Sequence, residues 1–255
     1  MNVKTARVEA FYSLAALDYE GALRACRQGL YQAPDNVELH LITGHAHMRS
    51  GRYAEGVRAF EAAVGYAPAD SHLRCLLGIA RDMAGDAGGA IAEFREILAY
   101  DPMQATARYH LASLLSSVGE VAAAVNEYQE LVRQEPDCVQ AHNNLGVLLS
   151  ALGDPDGAIA SFERARRANP GDAVSAVNLA REWAVKGDLK RAEDSIAQAL
   201  DVSMEFGEAL ALAGWIYFHQ KRYAEAEQAY RGALSAGFLT PETREGHLKS
   251  SQALG

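Results

Sequence analysis

Small and apolar residues recur in this chain at a constant interval of 34 positions, in two bursts of helical period with a glycine between them and a proline after them. Rows of 34 beginning at Val3, Val37, Ser71, Ala105, Val139, Ala173 and Gly207 align without insertion or deletion. The eighth column reads Ala10, Gly44, Gly78, Ala112, Gly146, Ala180, Gly214, and the twentieth Ala22, Gly56, Ala90, Ala124, Ala158, Ala192, Ala226. Nothing larger than a methyl group is admitted at either, so two helices must touch closely there. The twenty-fourth column, Cys26, Phe60, Phe94, Tyr128, Phe162, Ile196, Tyr230, puts a bulky group on the same helix face one turn past the small residue. Small and large sites interlock.

Glycine and proline punctuate these bursts. Gly51, Gly85, Gly119, Gly153 and Gly187 stand where a first helix ends, a place that favours the positive φ other residues resist. Pro34, Pro68, Pro102, Pro136 and Pro170 end the second, because a proline inside a helix costs about 3 kcal/mol and forces its predecessor out of the helical region. Asp35, Asp70, Asp137 and Asp172 follow within two residues and are expected to cap the next helix. Each row therefore predicts a helical hairpin and the chain an all-α solenoid of seven units, at 3–36, 37–70, 71–104, 105–138, 139–172, 173–206 and 207–240. The first row is loose, and the last two replace the proline with Met204 and Phe238. After Thr240-Pro241, a good helix opening, a short terminal helix is expected in 241–255, with Leu248 and Leu254 covering the last hairpin.

With small residues at columns 8 and 20, large ones at 24 and proline at 32, residues 3–240 resemble the tetratricopeptide repeat. The resemblance implies a right-handed superhelix whose first helices line a concave face through columns 2, 5, 6, 9, 12 and 13. That liner starts apolar and basic (Arg7, Phe11, Leu14), mixes charge with histidine (Glu38, His45, Arg49, His72, Asp82), and becomes polar and uncharged in the middle. The peptide-binding residues it implies are Asn144, Asn178, Arg181 and Trp215, with Asn143, Tyr109 and Phe218 beside them. Asn144 and Asn178 share a column in adjacent rows, and an amide can both donate to and accept from an extended peptide backbone. Trp215 and Phe218, three apart on one helix, suit binding anchors, whereas Trp183 falls in a column that the family packs between hairpins. The family's dicarboxylate clamp is absent, since Asn144 has Tyr109 and Ser113 before it and Val174 and Asn178 after it.

Composition narrows the function classes. The 255 residues are 49% hydrophobic and 22% charged with a net charge of -9, so no basic field invites nucleic acid or an anionic membrane. No run of about 18 apolar residues suits membrane insertion. Cys26, Cys75 and Cys138 lack CxxC spacing, which predicts no disulfide framework and, with the rest, a cytoplasmic chain. His40, His45, His47 and His72 point to different sides, so no metal is expected. Gly85 to Gly89 is an inter-helix turn that follows no strand, and Cys75 with His110 lacks an orienting third group. The expectation is a non-enzymatic scaffold without cofactor that binds an extended peptide or partner helix. The alternatives are a self-associating scaffold, docking through Phe11 and Leu14, and the targeting arm of a transferase-type enzyme complex.

Overall fold

A computed structural model describes residues 2–254, so Gly255, the last residue of the expected terminal segment, lies outside the described residues. Fifteen helices are found among them: α1 (Val3–Ala15), α2 (Tyr19–Gln32), α3 (Val37–Arg49), α4 (Tyr53–Tyr66), α5 (Ser71–Met83), α6 (Ala87–Tyr100), α7 (Ala105–Ser117), α8 (Val121–Gln134), α9 (Val139–Ala151), α10 (Pro155–Ala168), α11 (Ala173–Val185), α12 (Leu189–Val202), α13 (Gly207–His219), α14 (Tyr223–Ser235) and α15 (Pro241–Gln252). No strand occurs among the described residues. Two compact units divide within α8, between Glu127 and Tyr128.

In the first unit α1 packs on α2, α3 on α4 and α5 on α6, and each second helix leans on the next first helix. The second unit repeats this with α9 and α10, α11 and α12, and α13 and α14, and α15 closes on the last pair. The interlock lies within each hairpin. A Cβ added at Gly44 would stand 2.5 Å from the Phe60 ring, at Gly78 2.7 Å from Phe94, at Gly146 2.5 Å from Phe162 and at Gly214 2.8 Å from Tyr230. All are closer than nonbonded carbons approach, so the glycine column exists to seat the ring of its own partner helix. Phe60, Phe94 and Phe162 are buried to within 2% of full occlusion as a result.

Turn geometry follows the glycine column closely. Gly51, Gly85, Gly119, Gly153 and Gly187 have φ between 75° and 86°. Leu17 and Lys221 take φ of 61° and 63° at the same turn of the first and last hairpins, where a side chain costs about 1 kcal/mol. Asp70 and Asp172 cap α5 and α11 as expected, but Asn36 rather than Asp35 caps α3, and α9 starts at Cys138 without a side-chain cap bond. Asp35 and Asp137 sit one residue too early to reach the helix N–H groups. Aspartates missed as caps, Asp18, Asp86, Asp154 and Asp188, start the second helices instead.

The prolines do more than end helices. The side chain six residues on, in column four, binds the carbonyl of four of the five prolines: His40 Nε2 to Pro34 O (2.7 Å), Arg74 Nε to Pro68 O (3.0 Å), Arg108 Nη2 to Pro102 O (2.6 Å) and His142 Nε2 to Pro136 O (2.9 Å), whereas Ala176 follows Pro170. Where the donor is arginine, the second helix supplies a carboxylate, Glu93 at 3.2 Å and Glu127 at 2.5 Å. Where it is histidine, Ala59 and Ser161 stand in that column. A buried guanidinium needs a counter-charge and a neutral imidazole does not.

The terminal helix corrects one expectation. Leu248 and Leu254 are 58% and 55% exposed, while Thr243, Gly246 and Ser250 face inward. Tyr230 decides this, because Gly246 lies against the hydroxyl end of its ring, as Gly214 lies against the Cγ end, and a Cβ at Gly246 would overlap Cζ. Burial pushes the Tyr230 hydroxyl up to about 12.

Two outcomes test this account. Gly146→Ala is expected to destabilise the second unit by about 1 to 3 kcal/mol in urea denaturation, with part recovered in the double variant Gly146→Ala/Phe162→Leu; additive losses would contradict a direct ring contact. His142→Ala is expected to cost about 1 to 3 kcal/mol at neutral pH through the stranded Pro136 carbonyl. Burial also holds His45, His47, His110 and His142 below the usual imidazole range. The unfolded chain therefore takes up protons near pH 6.5 that the folded chain resists, and stability falls as pH drops below that value. A urea midpoint unchanged between pH 7.5 and pH 5.5 would refute the sign.

Candidate functional site

Within the second unit α9, α11 and α13 present the first-helix columns, and most of the expected site residues sit there. Asn144 on α9 donates from Nδ2 to the Tyr128 hydroxyl at 2.8 Å, which fixes the plane of its amide. Asn178, one row later on α11, accepts at Oδ1 from Arg181 Nη1 at 3.1 Å. Arg181 reaches on with Nη2 to Glu208 Oε1 of α13 at 2.5 Å. Both members of that pair are about half exposed, so it orders the side chains more than it stabilises the fold.

Asn143 belongs to a different network from its neighbour. Its Nδ2 donates to Asp172 Oδ2 at 2.9 Å, and its Oδ1 accepts from the Ser175 hydroxyl at 2.9 Å. Asp172 is the N-cap of α11. Burial pushes its carboxyl up, but the bonds from Ser175, Asn143 and the backbone outweigh this and hold it below the usual carboxylate range. The Asn143 amide thus ties α9 to the start of α11.

Trp215 remains 38% exposed, its ring stacked on His219 at 3.8 Å, while His219 Nδ1 meets the Trp215 carbonyl at 2.9 Å. Phe218 is half-buried, edge-on to Tyr223 at 5.4 Å. Both line a cleft of about 360 Å³ whose other wall is α15, through Glu245, Gly246 and Lys249. The terminal helix therefore borders Trp215 without covering it. Trp183 is half-buried between two core clusters, with the Arg191 guanidinium 4.5 Å over its ring. Tyr109 lies in the first unit, on α7, edge-on to His110 at 5.8 Å, and so is described apart from the others.

Val147 and Val174, 50% and 49% exposed, stand in first-helix columns beside these residues and were not among those expected from the sequence. They hold columns nine and two of α9 and α11, the same pair of columns that joins Arg181 to Glu208 one repeat later. The signal was present in the column reading, but polar residues drew the attention. An apolar step thus separates the two asparagines.

Chemistry elsewhere is spare. Among the described residues no group of three or more His, Cys, Asp or Glu side chains could hold a metal, and no helix is long and apolar enough to cross a membrane. Burial pushes the Cys75 thiol up and the His110 imidazole down, the reverse of what a thiolate–imidazolium pair needs.

Comparison with known proteins agrees with this architecture. A model of the tetratricopeptide repeat matches residues 12–71, 43–102, 109–173 and 178–238, well over half of the chain. No curated protein sequence matches it. Among solved structures, the C-terminal part of a TPR repeat-containing protein from Cytophaga hutchinsonii is similar at a TM-score of 0.77 and 14% identity, covering 94% of this chain and 98% of that one. MamA is similar at 0.61 and 23% identity, covering 67% and 93%. YrrB, described as a TPR protein with an unusual peptide-binding site, is similar at 0.63 and 18%, covering 74% and 97%. Proteins built from such repeats are typically interaction scaffolds rather than enzymes. With its helices paired at the matched positions, the chain is an α-solenoid that belongs to the tetratricopeptide repeat family.

Proposed function

We propose that the chain is a non-enzymatic protein-interaction scaffold that holds an extended peptide along the face of α9, α11 and α13. The observation that carries this reading is the order of groups there: a half-buried amide at Asn144, exposed apolar Val147 and Val174, a half-buried amide at Asn178, then the exposed Trp215 ring. Amides a repeat apart suit a peptide main chain, the valines suit a side chain between them, and the indole suits an anchor. Tyr128 and Arg181 hold both amides in place before a ligand arrives, which lowers the ordering cost of binding. Asn143 acts behind this face by fixing α11, and Arg181 meets a ligand carboxylate only in competition with Glu208. The YrrB likeness is one of fold, and its described peptide-binding site makes the same use of this fold reasonable. Three unpaired thiols, Cys26, Cys75 and Cys138, suit the cytoplasm.

Self-association is a second reading, favoured by Val8, Phe11 and Tyr12 of α1, which are 47%, 60% and 68% exposed. Leu14 takes no part, because it packs into its own hairpin.

Two measurements separate these readings. Peptides selected against the whole chain from a random display library are expected to lose about tenfold in affinity for Asn144→Ala/Asn178→Ala by calorimetry. Unchanged binding by every selected peptide removes the amide reading. Light scattering against concentration is expected to give a constant mass under the peptide reading, whereas growth that Phe11→Ala/Tyr12→Ala abolishes establishes self-association.

A further inference from the structure

At the last hairpin a second cleft, of about 640 Å³, lies between the end of α12, α13 and α14. Its cause is one pair of columns. In the preceding hairpin Arg166 Nη1 donates to Gln198 Oε1 at 3.2 Å and bridges α10 to α12. The same two columns one repeat later hold Leu200 and Gly232, so no bridge forms between α12 and α14. Ser235 and Ala236 keep the next turn of α14 small as well.

The fold does not ask for this glycine. Gly232 is not among the positive-φ residues, and a Cβ added to it would meet only Leu210 Cδ1 at 3.4 Å, an ordinary contact. A glycine inside a helix costs about 1 kcal/mol relative to alanine. At Gly44 or Gly146 an aromatic ring repays that cost; at Gly232 no ring is seated and a methyl group would be accommodated. The lining combines apolar Leu200, Leu210 and Ala229 with polar Tyr217 and Gln228 and with acidic Glu205 and Glu225. Glu205 has no ion pair among the described residues, while Glu225 is held by Arg222. Met204, 81% exposed where earlier rows have proline, forms an adaptable lip.

We propose that this cleft is a second docking site, separate from the face of α9, α11 and α13, and that it takes an apolar side chain from a basic amphipathic helix of a partner protein. Charge complementarity selects that occupant. Glu205 in the lining and a net charge of -9 on the chain attract lysine or arginine flanks, while Leu200, Leu210 and Ala229 reward an apolar anchor.

The probe is a fluorescent amphipathic helix of leucine and lysine, followed by anisotropy with the whole chain, beside a matched helix of leucine and glutamate. The lysine helix is expected to bind and the glutamate helix not. Gly232→Gln/Ser235→Gln, neutral in charge and favourable to the helix, is expected to weaken binding by about tenfold at unchanged circular dichroism. Glu205→Gln is expected to weaken it severalfold and to flatten its salt dependence. Asn144→Ala/Asn178→Ala should leave it unchanged, so the two sites fail or succeed separately. Equal binding by the filled variant reveals general attraction to an acidic surface and overturns the proposal, as does equal binding of the glutamate helix or no binding of the lysine helix.

Discussion

Everything in this chain depends on the seating of one aromatic ring against one glycine. Phe60 on Gly44, Phe94 on Gly78, Phe162 on Gly146 and Tyr230 on Gly214 bring the two helices of a hairpin together at a separation that any Cβ would prevent. Because the small and large columns recur every 34 residues, the first helices present their outer columns at a fixed interval. An amide on α9 and an amide on α11 become comparable positions only through that regularity. Where the ring changes, its seat changes too: Ala10 faces the Cys26 hairpin and Ala180 the Ile196 hairpin, both with smaller side chains in the large column. In these two rows the small column gains a methyl group where the large column loses a ring.

The hairpins, their turns and the order of their elements were legible because each leaves a mark in residue size or backbone freedom. Column four left no such mark. Its members in the second to fifth rows, His40, Arg74, Arg108 and His142, are polar residues that read as surface, yet Arg108 and His142 are among the buried polar groups and bind the proline carbonyls. The clue lay in the partner column, since Glu93 and Glu127 accompany the two arginines and no carboxylate accompanies the histidines. Proline was read as a stop, when it is also half of a bond. The terminal helix escaped for a related reason: its buried face is chosen by the Tyr230 ring, which favours Gly246 over the leucines that hydrophobicity would choose.

At the candidate site, adjacent residues with one chemistry separate into different roles. Asn143 and Asn144 both fall in first-helix columns, but Asn143 is one step closer to α11 and meets Asp172 and Ser175, whereas Asn144 meets Tyr128. Column position gives the side of a helix. Which partner lies within about 3 Å depends on side-chain reach across a helix pair, and that is a property of the packed structure.

The ion pairs on these faces bear on how a partner is recognised. Arg7 is joined to Glu38 in the first unit and Arg181 to Glu208 in the second, each across neighbouring first helices. A ligand carboxylate at either arginine exchanges one exposed pair for another, and the difference between two such pairs is a fraction of about 1 kcal/mol. Desolvation of Val147, Val174 and Trp215 has no competing contact to displace, and at roughly 25 cal/mol per Å² a half-exposed valine returns more than that exchange. Under the proposed peptide reading the charges therefore align and discriminate, while the apolar steps and the oriented amides between them supply the affinity.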